Sequence, residues 1–347
     1  MAQSLKVPKI VIWGGNGHDL ELGNIDSHAS LTAYFLTRYL SEKFNVVNLV
    51  DMDAPEQLLE HTDALALVST FQRGFTSRII GKNKQSLYTE LRNRFSGKLV
   101  SLVDSLDSRK YVEDVLLCVR RPGWSTLLSA RLASRNNSLR AVWMGWRADS
   151  ELCSPVKTAE NEIRIFVDHP PYSSDALDAT PAYYEAFRAA VREFPNLKIS
   201  VRQQHNDRIE DWYTGDGTLN RSQYVRSAKI PWTTMVDAYR ATDIFCITHE
   251  ESAGLAVIEA TMSGARIYVP EKRFGRMFVS RGLFADTVPY STFKFSADVG
   301  QTSNSIQELI VGDIRRGLDR AAVHKQVSQH HSWSEAAAII DGELTRG

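Results

Sequence analysis

The sequence predicts an α/β fold made of two Rossmann-like domains that face a cleft. Apolar runs without polar alternation, such as IFCIT at Ile244–Thr248, are typical of strands buried on both faces of a parallel sheet. Helical patterns separate such runs along the chain, as in doubly wound α/β proteins. A polar segment with a proline, residues 145–162, is predicted to be a linker that divides the 347 residues into two parts of ordinary domain size.

The first predicted domain, residues 1–150, alternates strands with helical or irregular segments. A helical pattern begins at about Ser27 and continues through Leu40. The predicted strands are Lys9–Trp13, Asn45–Val50, Ala64–Ser69, Lys98–Asp104, Asp114–Val119 and Arg140–Met144.

The second predicted domain, residues 151–330, continues the alternation. A loop is expected to extend through residue 222, and Ser332 or Ser334 is expected to cap a terminal helix that uses Ala337, Ile340 and Leu344. The other predicted elements are strand Ile163–Val167, helix Pro181–Arg192, strand Leu197–Val201, strand Ile244–Thr248, helix Gly254–Ser263 and strand Arg266–Val269.

The clearest candidate site follows strand Ile244–Thr248. A loop at the carboxyl end of a central parallel strand lies where open α/β sheets bind ligands. The next helix offers free backbone N–H groups and the positive end of its dipole, so Ser252, Ala253 and Gly254 are predicted to hold a phosphate group. This loop is therefore a candidate diphosphate-binding loop.

Two glutamates flank the loop, with seven residues between them. Glu251 lies in the loop and Glu259 on the helix, where Leu255, Ile258 and Met262 form an apolar stripe. We expect Glu259 to lie just beside this stripe and both carboxylates to accept hydrogen bonds from sugar hydroxyls. An ordinary crossover with two solvated glutamates is the alternative interpretation.

This glutamate pair, followed by ATMSGARIYVP, resembles the donor-site motif of GT-B glycosyltransferases, especially the retaining nucleotide-sugar families. The resemblance implies that Glu251 contacts the transferred sugar, that Glu259 binds the nucleotide ribose, and that the loop amides hold the diphosphate. It also implies an acceptor-side first domain and a donor-binding second domain.

Further expectations come from the same resemblance. It implies a turn at Ser227–Pro231 that supports the nucleotide base, a helix at Thr233–Ala241, and a terminal segment, 331–347, that returns to the first domain. In the closest families an arginine and a lysine after the first strand of the donor domain bind the diphosphate, whereas this chain has HPPYSS at 169–174. The positive charge is therefore expected from Arg202, Lys229, Lys272 or Arg273.

A long glycine-rich loop follows the first strand. Gly14 and Gly15 are predicted to let the donor approach the backbone closely at the carboxyl end of that strand. The loop lacks the short GxGxxG turn of a tight NAD site. His18 and Asp19 are candidate general bases, with a structural or merely exposed histidine as the alternative.

Asp104 is the other candidate base. It ends strand Lys98–Asp104, so its carboxylate is expected to point toward the crevice, where it would deprotonate an acceptor hydroxyl. A cap of the turn in DSLDS is the alternative.

The composition, 43% hydrophobic and 24% charged, is typical of a soluble globular protein. Cys118, Cys153 and Cys246 are widely spaced, which favours reduced thiols in a cytoplasmic protein over disulfides or a zinc site. No apolar run is long enough for a signal peptide or a spanning helix. Neither a metal nor another cofactor is expected, since the nucleotide sugar is the donor substrate.

The net charge of zero conceals an asymmetry along the chain. Residues 71–150 carry 15 basic and 6 acidic side chains, net +9, whereas residues 1–70 are net −5 and residues 151–347 net −4. Such a basic segment predicts an anionic partner, either nucleic acid or a membrane surface, with a solvated helix face as the alternative. The candidate contacts are Arg73, Arg78, Lys82 and Lys84.

A second, looser resemblance concerns the acceptor. The basic segment, Asp104 after GKLVSLV, KIPWTTMVDA and VPEKRFGRMFVSRGLF resemble T-even phage DNA glucosyltransferases. This implies Asp104 as the base, a hydroxymethylated base in DNA as the acceptor, and the host cytoplasm as the location. The alternatives are a lipid-linked or polysaccharide acceptor at the inner membrane face, a nucleotide-sugar epimerase, and a non-catalytic nucleic-acid-binding protein.

Overall fold

The structure, a computed structural model, divides into two compact units. One contains Met1–Trp146 together with Trp333–Gly347, and the other contains Arg147–Ser332. The residues that the structure describes are 7–14, 28–49, 54–70, 75, 79, 85–103, 112–119, 139–157, 162–168, 179–195, 198–205, 208–214, 219–226, 230–248, 254–271 and 287–346.

The first unit alternates strands with helices. Its strands are β1 (Lys9–Trp13), β2 (Asn45–Leu49), β3 (Ala66–Ser69), β4 (Lys98–Val103), β5 (Val115–Cys118) and β6 (Arg140–Trp143). Its helices are α1 (His28–Leu40), α2 (Gln85–Arg94) and the terminal helix α8 (Trp333–Thr345), with a 3-10 helix at Pro55–His61. The described strands form one parallel sheet in the order β2-β1-β3-β4-β5-β6.

Burial in the first unit explains why its central strands are continuous apolar runs. β3 and β5 are buried along their whole length, as expected for parallel strands covered on both faces. Trp333 of α8 stacks on Phe35 of α1, with ring centroids 5.4 Å apart. Ala337, Ile340 and Leu344 of α8 are buried, so the apolar pattern of the terminal helix is confirmed.

The second unit contains a larger, mixed sheet. Its strands are β7 (Glu162–Val167), β8 (Lys198–His205), β9 (Arg208–Thr214), β10 (Leu219–Arg226), β11 (Ile244–Cys246), β12 (Arg266–Pro270) and β13 (Tyr290–Phe293). Its helices are α3 (Thr180–Glu193), α4 (Trp232–Arg240), α5 (Leu255–Met262), α6 (Val299–Arg316) and α7 (Arg320–His331). The order of the described strands is β10-β9-β8-β7-β11-β12-β13.

The prediction of a loop through residue 222 is wrong. Strands β9 and β10 occupy this stretch and extend the sheet as an antiparallel ribbon next to β8. Both strands mix charged residues with aromatic and β-branched ones, as in RIEDWYT, and TGDGT between them has the residues typical of a hairpin turn. A ribbon of this composition does not produce the continuous apolar run that identified the parallel strands.

The segment predicted to be a linker is packed where it is described. Asp149 and Cys153 are fully buried, and the Asp149 carboxylate accepts hydrogen bonds from the backbone N–H groups of Glu151 and Leu152. The Asp149 carboxylate therefore caps a turn within the second unit, so this part of the segment is packed structure and not a linker.

Arg320 forms hydrogen bonds and an ion pair with several segments of the second unit. Its guanidinium donates hydrogen bonds to the carbonyl oxygens of Val156, Arg240 and Ser263. It also lies 3.6 Å from the Asp243 carboxylate, and both side chains are mostly buried. This ion pair, with its hydrogen bonds to backbone, fixes the ends of α4 and α5 next to the start of α7.

The three cysteines, Cys118, Cys153 and Cys246, are free and buried. Burial raises the pKa of the Cys118 thiol to about 12, so this thiol is unreactive at neutral pH. No helix among the described residues has the length and hydropathy needed to cross a bilayer.

Candidate functional site

Strand order places a crevice at the carboxyl edge of the second unit's sheet. β7 lies between β8 and β11, so the chain leaves β7 on one side and returns on the other. Such a reversal leaves a crevice outside the carboxyl ends of the two strands, where open α/β sheets bind ligands. The polar residues at these ends are Asp168 and Thr248, and the Asp168 N–H donates to the Cys246 carbonyl oxygen at 2.9 Å.

Residues at the start of helix α3 donate hydrogen bonds to this edge of the sheet. The Ala179 N–H donates to the Thr248 carbonyl oxygen at 2.9 Å. The Tyr183 hydroxyl lies 3.0 Å from the Ile247 carbonyl oxygen and 3.3 Å from that of Tyr268. Burial raises the pKa of Tyr183 well above its ordinary value, so the phenol stays protonated and remains a hydrogen-bond donor to the strand ends.

Glu259 lies in the second turn of α5, the helix that follows the loop after β11. The residue is 4% exposed, and its Oε1 atom accepts a hydrogen bond from the Trp232 indole Nε1–H at 2.6 Å. Trp232 is the first residue of α4, so the bond joins two neighbouring helices. A buried carboxylate is thereby held at a defined orientation beside the crevice.

The predicted position of Glu259 beside an apolar stripe is wrong. Every residue of α5 from Val257 to Met262 is buried. The reason is that α4 and α7 pack against α5 in addition to the sheet, so the helix has no solvated face along this stretch. Gly254, predicted to admit a phosphate, is the N-cap of α5 and has extended backbone.

Burial dominates the electrostatics of Glu259. It raises the pKa of the carboxyl from 4.5 to about 7, and the Trp232 hydrogen bond lowers that pKa in part. After burial itself, the Glu259 charge is the next cause that raises the pKa values of Cys153 and Tyr239. The carboxyl therefore titrates near neutral pH, in surroundings where a hydrogen bond to it is stronger than in water.

Most of the predicted site residues lie outside the described part of the chain. Gly14, Gly254 and Glu259 are described, and so is Arg202, which lines a cavity beside the first residues of β7 and β8. The predicted catalytic residues outside the described part are His18, Asp19 and Asp104. The predicted donor-binding and polyanion-binding residues outside it are Gly15, Lys229, Glu251, Ser252, Ala253, Lys272, Arg273, Arg73, Arg78, Lys82 and Lys84, and their roles stay predictions.

Gly14 follows β1, the strand at which the strand order of the first unit reverses, because β1 lies between β2 and β3. A Cβ atom there would lie 1.7 Å from Oγ1 of Thr70, which donates a hydrogen bond to the Ala29 carbonyl oxygen at 3.0 Å. Gly14 is not among the glycines with positive φ, so the Thr70 hydroxyl gives a structural reason for this glycine. Donor approach to Gly14 stays a prediction.

Asp168 is a second buried acid at this edge, and it is not part of the motif formed by Glu251 and Glu259. It is 7% exposed and follows β7 directly. Its charge and that of Glu259 both raise the pKa of Tyr239, so both carboxylates lie within electrostatic reach of the same phenol. The sequence signal is the acid that ends the apolar run IRIFV, the pattern that identified Asp104.

Three described cations of the basic segment have partners within the first unit. Arg92 pairs with Asp114 at 3.0 Å, and Arg94 pairs with Glu90 at 3.0 Å. The Lys98 ammonium donates to carbonyl oxygens at the end of α8, including that of Glu343 at 2.7 Å. These groups stabilise the fold, so a polyanion would have to be held mainly by the basic residues outside the described part.

A cavity of about 280 Å³ in the second unit lies elsewhere. It is lined by the first residues of β7 and β8 and by the end of α4, away from the carboxyl ends of the strands. At its rim the Glu162 carboxylate accepts hydrogen bonds from Arg164 and Ser200 and lies 3.5 Å from the Lys198 ammonium. The cavity lies at the amino ends of the parallel strands, whereas open α/β sheets bind ligands at the carboxyl ends, so the crevice beside β7 and β11 is the stronger candidate site.

No protein-family model and no curated protein sequence matches the chain. Solved structures match its fold over nearly the whole length. HepE from Anabaena, solved with UDP and glucose, has a TM-score of 0.52 and 10% identity, with 97% of this chain and 99% of that chain covered. AviGT4, a glycosyltransferase involved in avilamycin A biosynthesis, has a TM-score of 0.54 and 10% identity, covering 98% and 97%.

A putative UDP-N-acetylglucosamine 2-epimerase from Listeria monocytogenes is also similar, with a TM-score of 0.55 and 9% identity, covering 97% and 95% of the two chains. At these identities the likeness concerns the fold. The predicted α/β architecture of two Rossmann-like domains is confirmed, and the chain has the GT-B fold.

Proposed function

We propose that this protein is a glycosyltransferase that moves a sugar from a nucleotide-sugar donor to a hydroxyl acceptor. The observation that carries the proposal is the Glu259 carboxylate. It is buried and hydrogen-bonded in the second turn of α5, the helix that follows strand β11 beside the crevice. A buried carboxyl is costly unless a hydrogen-bonding partner uses it, and a ribose supplies hydroxyl donors. The GT-B fold and the glutamate motif support the same role.

The remaining donor contacts in the proposal come from the loop before α5. Glu251 accepts hydrogen bonds from the transferred sugar, and the amides of Ser252, Ala253 and Gly254 hold the diphosphate at the helix N-terminus. Lys229 and Arg273 supply positive charge, and Gly14 and Gly15 are further donor contacts in the proposal. No metal or other cofactor takes part in the proposed reaction.

In the transfer step, a base removes the proton from the acceptor hydroxyl. The acceptor oxygen then bonds to the anomeric carbon while the bond from that carbon to the diphosphate oxygen breaks, and the nucleoside diphosphate leaves. We assign the base to Asp104, with His18 and Asp19 as the other candidates. Asp104→Asn is then expected to keep donor binding and lose turnover.

For the acceptor we propose a hydroxymethylated base in DNA, modified in the cytoplasm. The support is the net +9 of residues 71–150 and the second resemblance in the sequence. Since Arg92, Arg94 and Lys98 have partners within the fold, the proposal assigns the DNA contacts to Arg73, Arg78, Lys82 and Lys84.

Donor consumption by the purified protein tests the proposal. UDP-sugars come first, because HepE was solved with UDP and glucose. A transferase releases UDP faster when DNA containing hydroxymethylcytosine is added, and the sugar appears on the DNA. An epimerase changes the sugar of the donor without an acceptor, which proton NMR detects. If none of the UDP-, GDP- or ADP-sugars is bound or consumed, the proposed function is wrong.

A further inference from the structure

Trp232 makes a contact that the donor motif does not contain. Its indole Nε1–H lies 2.6 Å from Glu259 Oε1, a short distance for a bond between a neutral donor and a carboxyl oxygen. Among the described residues, Trp232 is the only hydrogen-bond donor to this carboxyl. An indole N–H can donate but cannot accept, so Oε1 is the acceptor in this contact, and Oε2 can accept from another donor.

The surroundings of Glu259 contain little else that would fix its orientation. The titratable groups that face it from other elements are Tyr239 on α4 and Cys153 in the packed segment before β7. Burial raises the pKa of both groups well above their ordinary values, so both are neutral at pH 7. Within the described part of the chain no cation pairs with Glu259, and the indole is the polar contact that defines the plane of the carboxyl.

Trp232 itself is half-buried at the start of α4, directly after Pro231. Pro231 has φ −57 and ψ 142, an extended conformation that ends the preceding segment and begins the helix at Trp232. From this position the indole reaches across to α5, where Glu259 accepts its hydrogen bond. The hydrogen bond therefore spans the contact between α4 and α5.

We propose that Trp232 is a positioning residue for ribose recognition: its indole N–H holds one oxygen of Glu259 so that the other accepts hydrogen bonds from the ribose hydroxyls of the donor. This inference rests on the proposed function, because it assumes a nucleotide in the crevice. In this proposal Trp232 makes the site select ribonucleotides over 2′-deoxyribonucleotides by orienting Glu259. Trp232 itself does not contact the reacting atoms.

Calorimetric titration with UDP and 2′-deoxy-UDP, with the GDP and ADP pairs run in parallel, tests this inference. For the wild type, a preference of about tenfold or more for the ribonucleotide is expected, because the 2′-deoxyribonucleotide lacks the hydroxyl that donates a hydrogen bond to the charged Glu259 carboxylate. Trp232→Phe keeps the aromatic ring but removes the donor, and it should reduce this preference to about twofold or less, as should Glu259→Gln. The double variant should lose no more than either single variant.

Two further readouts separate positioning from a structural role. The Trp232 hydrogen bond lowers the pKa of Glu259, so Trp232→Phe should move the pH midpoint of UDP-sugar binding above that of the wild type. Trp232→His, which retains a ring N–H, should restore part of the ribose preference if Trp232→Phe folds poorly. Tyr239→Phe is the matched control on α4, since it alters a ring near Glu259 but not the hydrogen bond, and it should behave as the wild type.

The outcomes distinguish this inference from the proposed function. If Trp232→Phe folds and keeps both the ribose preference and the pH midpoint while Glu259→Gln loses the preference, Glu259 recognises ribose without Trp232 and the inference is wrong. If neither the wild type nor any variant binds a nucleoside diphosphate, the proposed function fails, and the inference fails with it.

Discussion

The backbone of Arg320 lies against Gly264, and a Cβ atom on residue 264 would be 2.7 Å from the Arg320 carbonyl oxygen. Gly264 follows α5 with a φ of +87°, a left-handed conformation that favours glycine, and Arg320 begins α7. The contact therefore sets how closely α7 approaches the end of α5. Because α7 also buries one side of α5, this glycine contributes to the surroundings of Glu259.

Gly264→Ala is expected to destabilise the second unit by about 3 kcal/mol, because it combines an unfavourable φ with a steric clash against backbone. Urea unfolding followed by circular dichroism measures the change. Gly317→Ala is the matched control, since Gly317 has φ +79° and nothing within 4 Å of the added Cβ. With ψ 145° as well, Gly317 lies in a backbone region that glycine almost alone occupies, so this variant should lose only the conformational part, about 2 kcal/mol. Equal losses in the two variants would show that the Arg320 contact contributes nothing.

The raised pKa of Glu259 predicts a specific dependence of stability on pH. The folded state binds this proton more tightly than the unfolded state, so the contribution of the carboxyl to stability is complete below pH 4.5 and is lost as the pH rises through about 7. Relative to the wild type, Glu259→Gln should therefore gain stability between pH 5 and pH 8, by up to about 3 kcal/mol.

Unfolding curves of both proteins at several pH values check this prediction. Glu308→Gln, a change at an exposed glutamate of α6, controls for the general effect of removing a negative charge from the second unit. A difference between wild type and Glu259→Gln that stays constant from pH 5 to pH 8 would mean that the Glu259 carboxyl titrates normally in the folded protein.

The basic segment predicts salt-dependent binding to DNA. Reversing the charges of Arg73, Arg78, Lys82 and Lys84 should reduce the slope of log K against log salt by about 3 to 4, roughly one for each DNA phosphate that is no longer neutralised. Gel shifts with duplex DNA at several salt concentrations measure the slope.

Reversal of Lys294 and Lys325, exposed lysines of the second unit, is the control and should leave the slope unchanged. Absence of duplex binding at low salt, together with sedimentation of the protein with anionic vesicles, would exclude DNA and favour an acceptor at a membrane surface.

Much of the fold follows from the sequence because parallel strands carry a strong local signal. The runs KIVIW, ALVS and VLLC are apolar on both faces, and each forms a central strand of the first sheet. Helix α6 has comparable signals, since Asp298 caps it through the Gly300 N–H and Ile306 and Ile310 face the core. The strands of the β9–β10 ribbon lack such a signal, because their pattern is not continuously apolar.

The candidate site was less predictable because it depends on contacts between distant segments. Glu259 lies beside an apolar stripe when α5 is considered alone, and only the packing of α4 and α7 buries it. Its hydrogen bond to Trp232 joins residues 27 positions apart, a distance at which neither helical nor strand periodicity predicts a contact. Asp168, in contrast, can be identified from the sequence, because an acid that directly ends a buried strand lies at the ligand-binding edge of the sheet.

Since Glu259 is buried, replacement by alanine would leave a cavity and confuse loss of binding with loss of packing. Glutamine preserves the volume and an oxygen that accepts the Trp232 hydrogen bond, so Glu259→Gln changes mainly the charge. Calorimetric titration of UDP-sugars, and of GDP- and ADP-sugars where these bind, compares this variant with the wild type and Glu308→Gln. We predict that the wild type and Glu308→Gln bind the donor equally and that Glu259→Gln binds it about 10- to 100-fold more weakly with its fold intact. Equal donor affinity in all three proteins, or no donor binding by the wild type, would contradict the assignment of this crevice as a nucleotide-sugar site.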